Sequence, residues 1–197
     1  MQRSLAKVWT KLLITGGIFI VFPNAAVPQS SPKTIYVVVP VTTTLKSDEK
    51  IGRKKAGLVC LPNGTLDAQD IKVGLADSAK GIIKALSNAG LTAVSSDDFA
   101  AAPSERAAYS VRWLKAVVTG ADFNVCAKKW GMGDRQHVSG KAALAVAWSV
   151  REGPLLLSDK TWSAQSVIEY RSDQATSLDF IAAAGVVHSL NVDNLRD

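Results

Sequence analysis

The sequence predicts an α+β fold, a single mostly antiparallel sheet with helices packed on one face. Three observations carry that expectation. Residues 34–39 are an unbroken β-branched and aromatic run, and residues 68–89 carry an apolar stripe at three- and four-residue steps. Beyond residue 108 the apolar period changes to two and holds until residue 170. Strands gathered in one stretch, with helices flanking them, suit a sheet that buries one face under helices.

Each element follows in order. Thr34 to Val39 reads as a strand buried on both faces and ended by Pro40. Residues 42–55 are polar and charged and read as a loop. Residues 56–61 read as a short strand closed by a turn at Pro62, Asn63 and Gly64. The first helix spans about 68–89, with Ile71, Leu75, Ala79, Ile82, Leu86 and Ala89 on its stripe. Asp67 or Asp70 caps its start, Gly90 supplies a left-handed C-cap, and Gly74 and Gly81 weaken its interior. Leu91 to Val94 is then a strand, and Ser95 or Ser96 caps a short helix stopped by Pro103.

Tyr109, Val111 and Trp113 open an alternating stretch that runs to Val118, and Phe123, Val125 and Ala127 share a face of a second segment. From Val138 to Val150 one face is bulky (Leu144, Val146, Trp148) and the other small (Ala143, Ala145, Ala147), so a helix or second sheet is expected close against the small face. Gly153 and Pro154 turn the chain into Lys160–Tyr170, completing an antiparallel hairpin. A last helix begins at a Thr176 or Ser177 cap, with Leu178, Ile181, Gly185, Val192 and Leu195 as its stripe.

The N-terminus has a different logic. Arg3, Lys7 and Lys11 precede an apolar run from Leu12 to Phe22, then Pro23 and the small residues Ala25 and Ala26. Basic, apolar and small-residue zones in that order make residues 1–26 a secretory signal peptide, with cleavage expected after Ala26. The run is too short to span a bilayer, which takes roughly 20 apolar residues. Residues 27–33 read as a disordered leader, and residues 34–197 as one domain. The expected location is the periplasm.

Charge and cysteines narrow the function. The signal peptide holds three cations and no acid, so the +6 of the whole chain falls to +3 without it. So small a surplus implies no nucleic-acid partner. Basic residues cluster at Lys50, Arg53, Lys54 and Lys55, as a solvated loop or a contact for an anionic polymer or lipid. Cys60 and Cys126 are an even pair in an oxidising compartment, expected to close a disulfide, with two buried free thiols as the alternative.

Catalytic signals are sparse. His137 lies in a polar and aromatic tip with Trp130, Asp134 and Arg135, where loop residues commonly carry binding. His188 sits among apolar residues of the last helix and reads as structural. Gly131 and Gly133 lack the third glycine and the Lys-Ser/Thr pair of a phosphate loop, and neither a Gly-x-Ser-x-Gly elbow nor an HExxH pair occurs. No cofactor or metal is expected. The binding candidates are Arg53, Lys54, Lys55, Trp130, Arg135 and His137. Trp113, Trp148 and Trp162 are core-filling or interface aromatics.

The hairpin from Val138 to Gly153, followed by Thr161, Trp162 and Ser163, resembles small Gram-negative envelope accessory domains. These are the ABC-transport auxiliary proteins and domains similar to the amino-terminal domain of the Tol-system β-propeller protein. The resemblance covers most of residues 34–192. It implies a non-enzymatic, often oligomeric subunit of an envelope transport or assembly system, with envelope proteins or a second copy as partners. Many such proteins are lipoproteins, whereas no cysteine precedes Cys60 here. A glycan- or lipid-binding module in peripheral contact with a membrane, and a secreted hydrolase around His137 and Asp134, are the competing expectations.

Overall fold

The centre of the molecule is one very long strand, β6 (Tyr109–Lys129), against which three early strands are laid end to end. The structure is a computed structural model describing residues 33–101, 109–129, 136–153, 159–171 and 177–196. Residues 1–26, expected to be a signal peptide, and nearly all of the expected 27–33 leader lie outside these residues, although Lys33 already belongs to β1 (Lys33–Val38). β1 runs parallel to the start of β6, β2 (Thr42–Thr43) to its middle, and β3 (Lys50–Ala56) to its end. β4 (Leu61–Asp67) folds back antiparallel on β3. On the other side of β6, β7 (Gln136–Glu152) and β8 (Asp159–Tyr170) form the expected antiparallel hairpin.

The sheet is therefore mixed, not mostly antiparallel, within a fold that is broadly α+β. The reason lies in the connections. β5 (Thr92–Ser95) is reached from the first strands through helix α1 (Lys72–Asn88), and a strand that returns through a crossover helix lies parallel to its neighbour. β6 is reached in the same way, after the short helix α2 (Ser96–Ala101). β1 is thus an interior strand between β5 and β6, and Tyr36, Val37 and Val38 are all buried, as their uniform apolar character implies.

The 42–55 stretch is not a loop. It supplies β2 and β3, while residues 57–60, expected in a strand, are the turn of the β3–β4 hairpin. The two segments expected in 109–127 are one strand interrupted by an irregularity between Val118 and Gly120. Core-facing positions are even before it (Leu114, Ala116, Val118) and odd after it (Phe123, Val125), because one extra residue moves the strand by half a pleat repeat.

The core lies between the inner face of β6–β7–β8 and two helices. α3 (Leu178–Ser189) crosses β7 and β8, and α1 lies against it. Ser177 caps α3, its Oγ accepting the Phe180 N–H at 3.1 Å. The helix stops at Ser189, and Val192–Leu195 is a separate 3-10 turn. Trp148 is buried, donates its indole N–H to Ser189 Oγ at 3.1 Å and stacks on Trp162 with ring centroids 6.1 Å apart. Leu195 closes the far end, where its carbonyl accepts from the Tyr36 hydroxyl and from Arg112.

Two expectations about faces change. α3 packs on the bulky side of β7, through Leu144 and Trp148, and not on the small side. α1 and α3 share one face, but α2 sets Phe99 edge-on against Trp113, 5.6 Å away, on the side opposite Leu114. His188 is exposed in the last turn of α3, not buried among apolar neighbours.

Candidate functional site

Strand alternation disperses the basic cluster. Arg53, Lys54 and Lys55 stand beside Asn124, Val125 and Cys126 of β6. Val125 points into the core, so Lys54 belongs to the inner side of the sheet and Arg53 and Lys55 to the outer side. On the inner side Lys54 shares a groove of about 490 Å³ with Asp70 and Asp179. Both acids are engaged by backbone: Asp70 accepts the Asp67 N–H at 2.9 Å, and Asp179 accepts the Gly74 N–H at 2.8 Å.

On the outer side Lys55 borders a groove of about 620 Å³ with Asn124, Lys141, Glu169 and Arg171, floored by a disulfide between Cys60 and Cys126. Lys141 and Glu169 sit opposite each other on β7 and β8 and pair at 3.4 Å. The expected disulfide is therefore formed, with Cα atoms 5.4 Å apart. Trp130 and Arg135 lie outside the described residues. His137 is placed only by its backbone, opposite Lys128 at the start of β7.

The structure adds a feature that residue patterning did not point to. Gly57, Leu58, Val59 and Cys60 form the tip of the β3–β4 hairpin, closed by a hydrogen bond from the Cys60 N–H to the Gly57 carbonyl at 3.2 Å. Cys60 itself is the one non-glycine residue at positive φ among the described residues (φ 53°). The Gly57 N–H donates to the Ala127 carbonyl at 3.1 Å, and the disulfide ties Cys60 to the next residue back on β6. A tip so firmly attached nonetheless projects Leu58, Val59 and Leu61, which are 69, 76 and 64 % exposed. Its signal in the sequence is Leu-Val at turn positions that Gly, Asn, Asp, Ser and Pro usually fill.

Two titrating groups are perturbed elsewhere. Hydrogen bonding to Tyr36 raises the pKa of Arg112 above its ordinary value, and burial raises that of Tyr170. The Tyr170 hydroxyl is buried without a hydrogen-bond partner among the described residues. Its ring packs edge-on against Phe180 at 6.2 Å. No group of three or more His, Cys, Asp or Glu able to hold a metal occurs among the described residues, and none of their helices is long and apolar enough to cross a membrane.

No family model and no curated protein matches the chain. Several solved structures are similar at low level, three of them as follows. One, titled an uncharacterized protein, has a TM-score of 0.38 at 12 % identity, covering 83 % of this chain and 88 % of its own. A neuraminyllactose-binding hemagglutinin homolog from Helicobacter pylori has a TM-score of 0.37 at 11 % identity, covering 89 % and 92 %. A DUF330 protein from Xanthomonas campestris has a TM-score of 0.37 at 13 % identity, covering 88 % and 85 %. Similarity of this degree carries no functional assignment.

Proposed function

We propose that the chain is an exported accessory subunit of the cell envelope that works by protein contact and not by catalysis. The observation that carries this reading is the edge strand β8. Among the described residues it pairs only with β7, and it is 12 residues long. Between Lys160 and Glu169 it contains neither a charge nor a proline, the devices that normally block edge-to-edge pairing. Outward-pointing Thr161, Ser163, Gln165 and Val167 are exposed, while Ser166 on the inner side is buried and donates to the Gly185 carbonyl at 2.8 Å. The strand is thus held straight from within and left open along its margin.

A second copy fits this edge by antiparallel pairing about Gln165. In that register Trp162 faces the second copy's Ile168, and Ser163 its Val167, so like faces meet and no like charges oppose between residues 160 and 170. The disulfide and the signal peptide reading support an exported location, and the resemblance to envelope accessory domains supports the role.

The test is sedimentation equilibrium of the purified protein beside the Ser163→Lys/Gln165→Lys variant, with pull-down from the native envelope. Wild type is expected to self-associate and the variant to be monomeric with an unchanged circular dichroism spectrum. A wild-type protein that stays monomeric and captures nothing from the envelope removes the proposal.

A further inference from the structure

We propose that the disulfide-tied hairpin tip docks on a membrane: Leu58, Val59 and Leu61 enter the interfacial layer of an anionic bilayer, and the lysines beside them hold its headgroups. This goes beyond the protein-contact reading and uses a different part of the surface.

Exposure comes first. Six large apolar side chains are strongly exposed among the described residues, and three of them are at this tip. The others (Val73, Val167 and Phe180) are on α1, β8 and α3, and single exposed apolar residues are ordinary. Three within four positions are not ordinary. Nothing in the fold calls for them. Leu58 and Val59 occupy the centre of a turn closed by backbone hydrogen bonding and a disulfide, which any small polar pair would serve as well.

Charge comes second. Arg53, Lys54 and Lys55 directly precede the tip with no acid between Lys50 and Leu66, while Lys50 itself pairs with Asp67 at 2.7 Å. Lys128 lies next to Ala127, the residue whose carbonyl receives the Gly57 N–H. The outer cations Arg53 and Lys55 and the inner Lys54 therefore flank the projecting aliphatics on both sides of the sheet. The acids that share the inner groove with Lys54 already accept backbone N–H groups. Aliphatic tip and basic collar form the amphipathic pattern that binds anionic lipid surfaces.

Shape decides between a bilayer and a protein. Protein hot spots are built from Trp, Tyr and Arg in tightly packed, desolvated pockets, whereas this feature projects and consists of Leu, Val and Lys. A yielding interface accepts a projecting tip without a matching cavity. The disulfide also fixes the turn beforehand, so little ordering entropy is lost on insertion.

The experiment is flotation of the full chain with vesicles of phosphatidylglycerol and phosphatidylcholine, and with phosphatidylcholine alone. Binding is expected on the mixed vesicles, weakened by salt, and at least tenfold weaker on phosphatidylcholine. Leu58→Ser/Val59→Ser should lower affinity on the order of tenfold or more. Lys54→Ala and Lys55→Ala should each cost about fivefold, and only on the anionic vesicles. Val73→Ser, a comparably exposed change on α1, is the control and should change nothing.

Leu58→Trp adds a local readout, a blue-shifted emission component that appears with anionic vesicles and is quenched by brominated lipid. Leu58 and Val59 can be changed without touching the core, and thermal melting confirms that each variant folds. Vesicle binding unaltered by Leu58→Ser/Val59→Ser overturns the proposal. Absence of binding also overturns it. So does a tip variant that keeps vesicle binding but loses capture of an envelope protein. None of these outcomes bears on self-association through β8, which sedimentation reads separately.

Discussion

Replacing Gly74 with alanine should destabilise the domain although alanine is the better helix former. Gly74 is buried near the start of α1, where α3 crosses it. A Cβ there would stand 2.2 Å from the Asp179 carbonyl oxygen and 2.5 Å from the Asp179 Cα, whereas ordinary contact begins near 3.4 Å. Both obstacles are backbone, so no side chain can rotate away, and the helices must part by about 1 Å. Parting them also stretches the 2.8 Å bond from the Gly74 N–H to the Asp179 carboxylate, a charge-assisted bond worth about 1.5 kcal/mol or more. Overpacking of this kind costs about 1–3 kcal/mol, and the gain in helix propensity offsets about 1 kcal/mol of the total. A net loss of about 2–3 kcal/mol lowers Tm by about 5–10 °C in a domain of this size.

Gly81→Ala is the internal comparison. It receives the same gain in propensity, but its Cβ meets only a Val187 methyl at 2.7 Å, the movable end of a half-buried side chain. Its effect should lie within about 1 kcal/mol of zero. The assay is thermal and urea unfolding of both variants with the disulfide oxidised, with the m-value checked for constancy. If Gly74→Ala raises Tm, or matches Gly81→Ala, the close crossing of α1 and α3 is refuted.

Two further predictions rest on other parts of the fold. The Cys60–Cys126 bridge spans 66 positions, so Cys60→Ser/Cys126→Ser should lose roughly 4 kcal/mol of stability in the chain-entropy model. Urea unfolding checks this, reduced wild type should match the double variant, and an unchanged midpoint contradicts the bridge. Tyr170 has a folded-state pKa raised above 10.0 by burial, so folding favours its protonated form. Its contribution is complete below pH 10 and is lost as pH rises through the folded value, so stability should fall above about pH 10. Tyr170→Phe should leave stability at neutral pH unchanged or slightly higher, since it removes a buried hydroxyl without a partner among the described residues, and should make the alkaline decline shallower. A steeper alkaline decline in the variant would contradict the assignment.

The elements that could be read from residue order are those whose signals are local. The α1 stripe of Ile71, Leu75, Ile82 and Leu86 is buried as its spacing requires, and Gly90 adopts the positive φ expected of a helix stop. Ser95 receives the Asp98 N–H at 3.1 Å at the start of α2, and Ser177 does the same for α3. The direction of strand pairing is not local. It depends on whether a connection crosses over, and the inserted β2–β4 segment hid the fact that α1 carries the chain from β1 to a parallel neighbour. Gly74 and Gly81 show the same limit: as single residues they count against a helix, and only the position of α3 explains them.

The layout of the basic residues depends on context in a related way. A run of basic residues is one patch if the chain is a loop, but two half-patches if it is a strand, and the difference lies in residues that are not basic. Ile51 is buried, and Gly52 lies against Phe123 so closely that its Cβ would meet the Phe123 backbone at 2.0 Å. Those two residues join β3 to β6, and joining it forces Arg53, Lys54 and Lys55 to alternate. Once they alternate, the segment cannot present a single basic face to a flat polymer. It can present cations on both sides of whatever its tip enters, and at that tip Leu58 and Val59 are left in solvent. The charge pattern and the apolar exposure, unremarkable separately, therefore point to the same end of one hairpin.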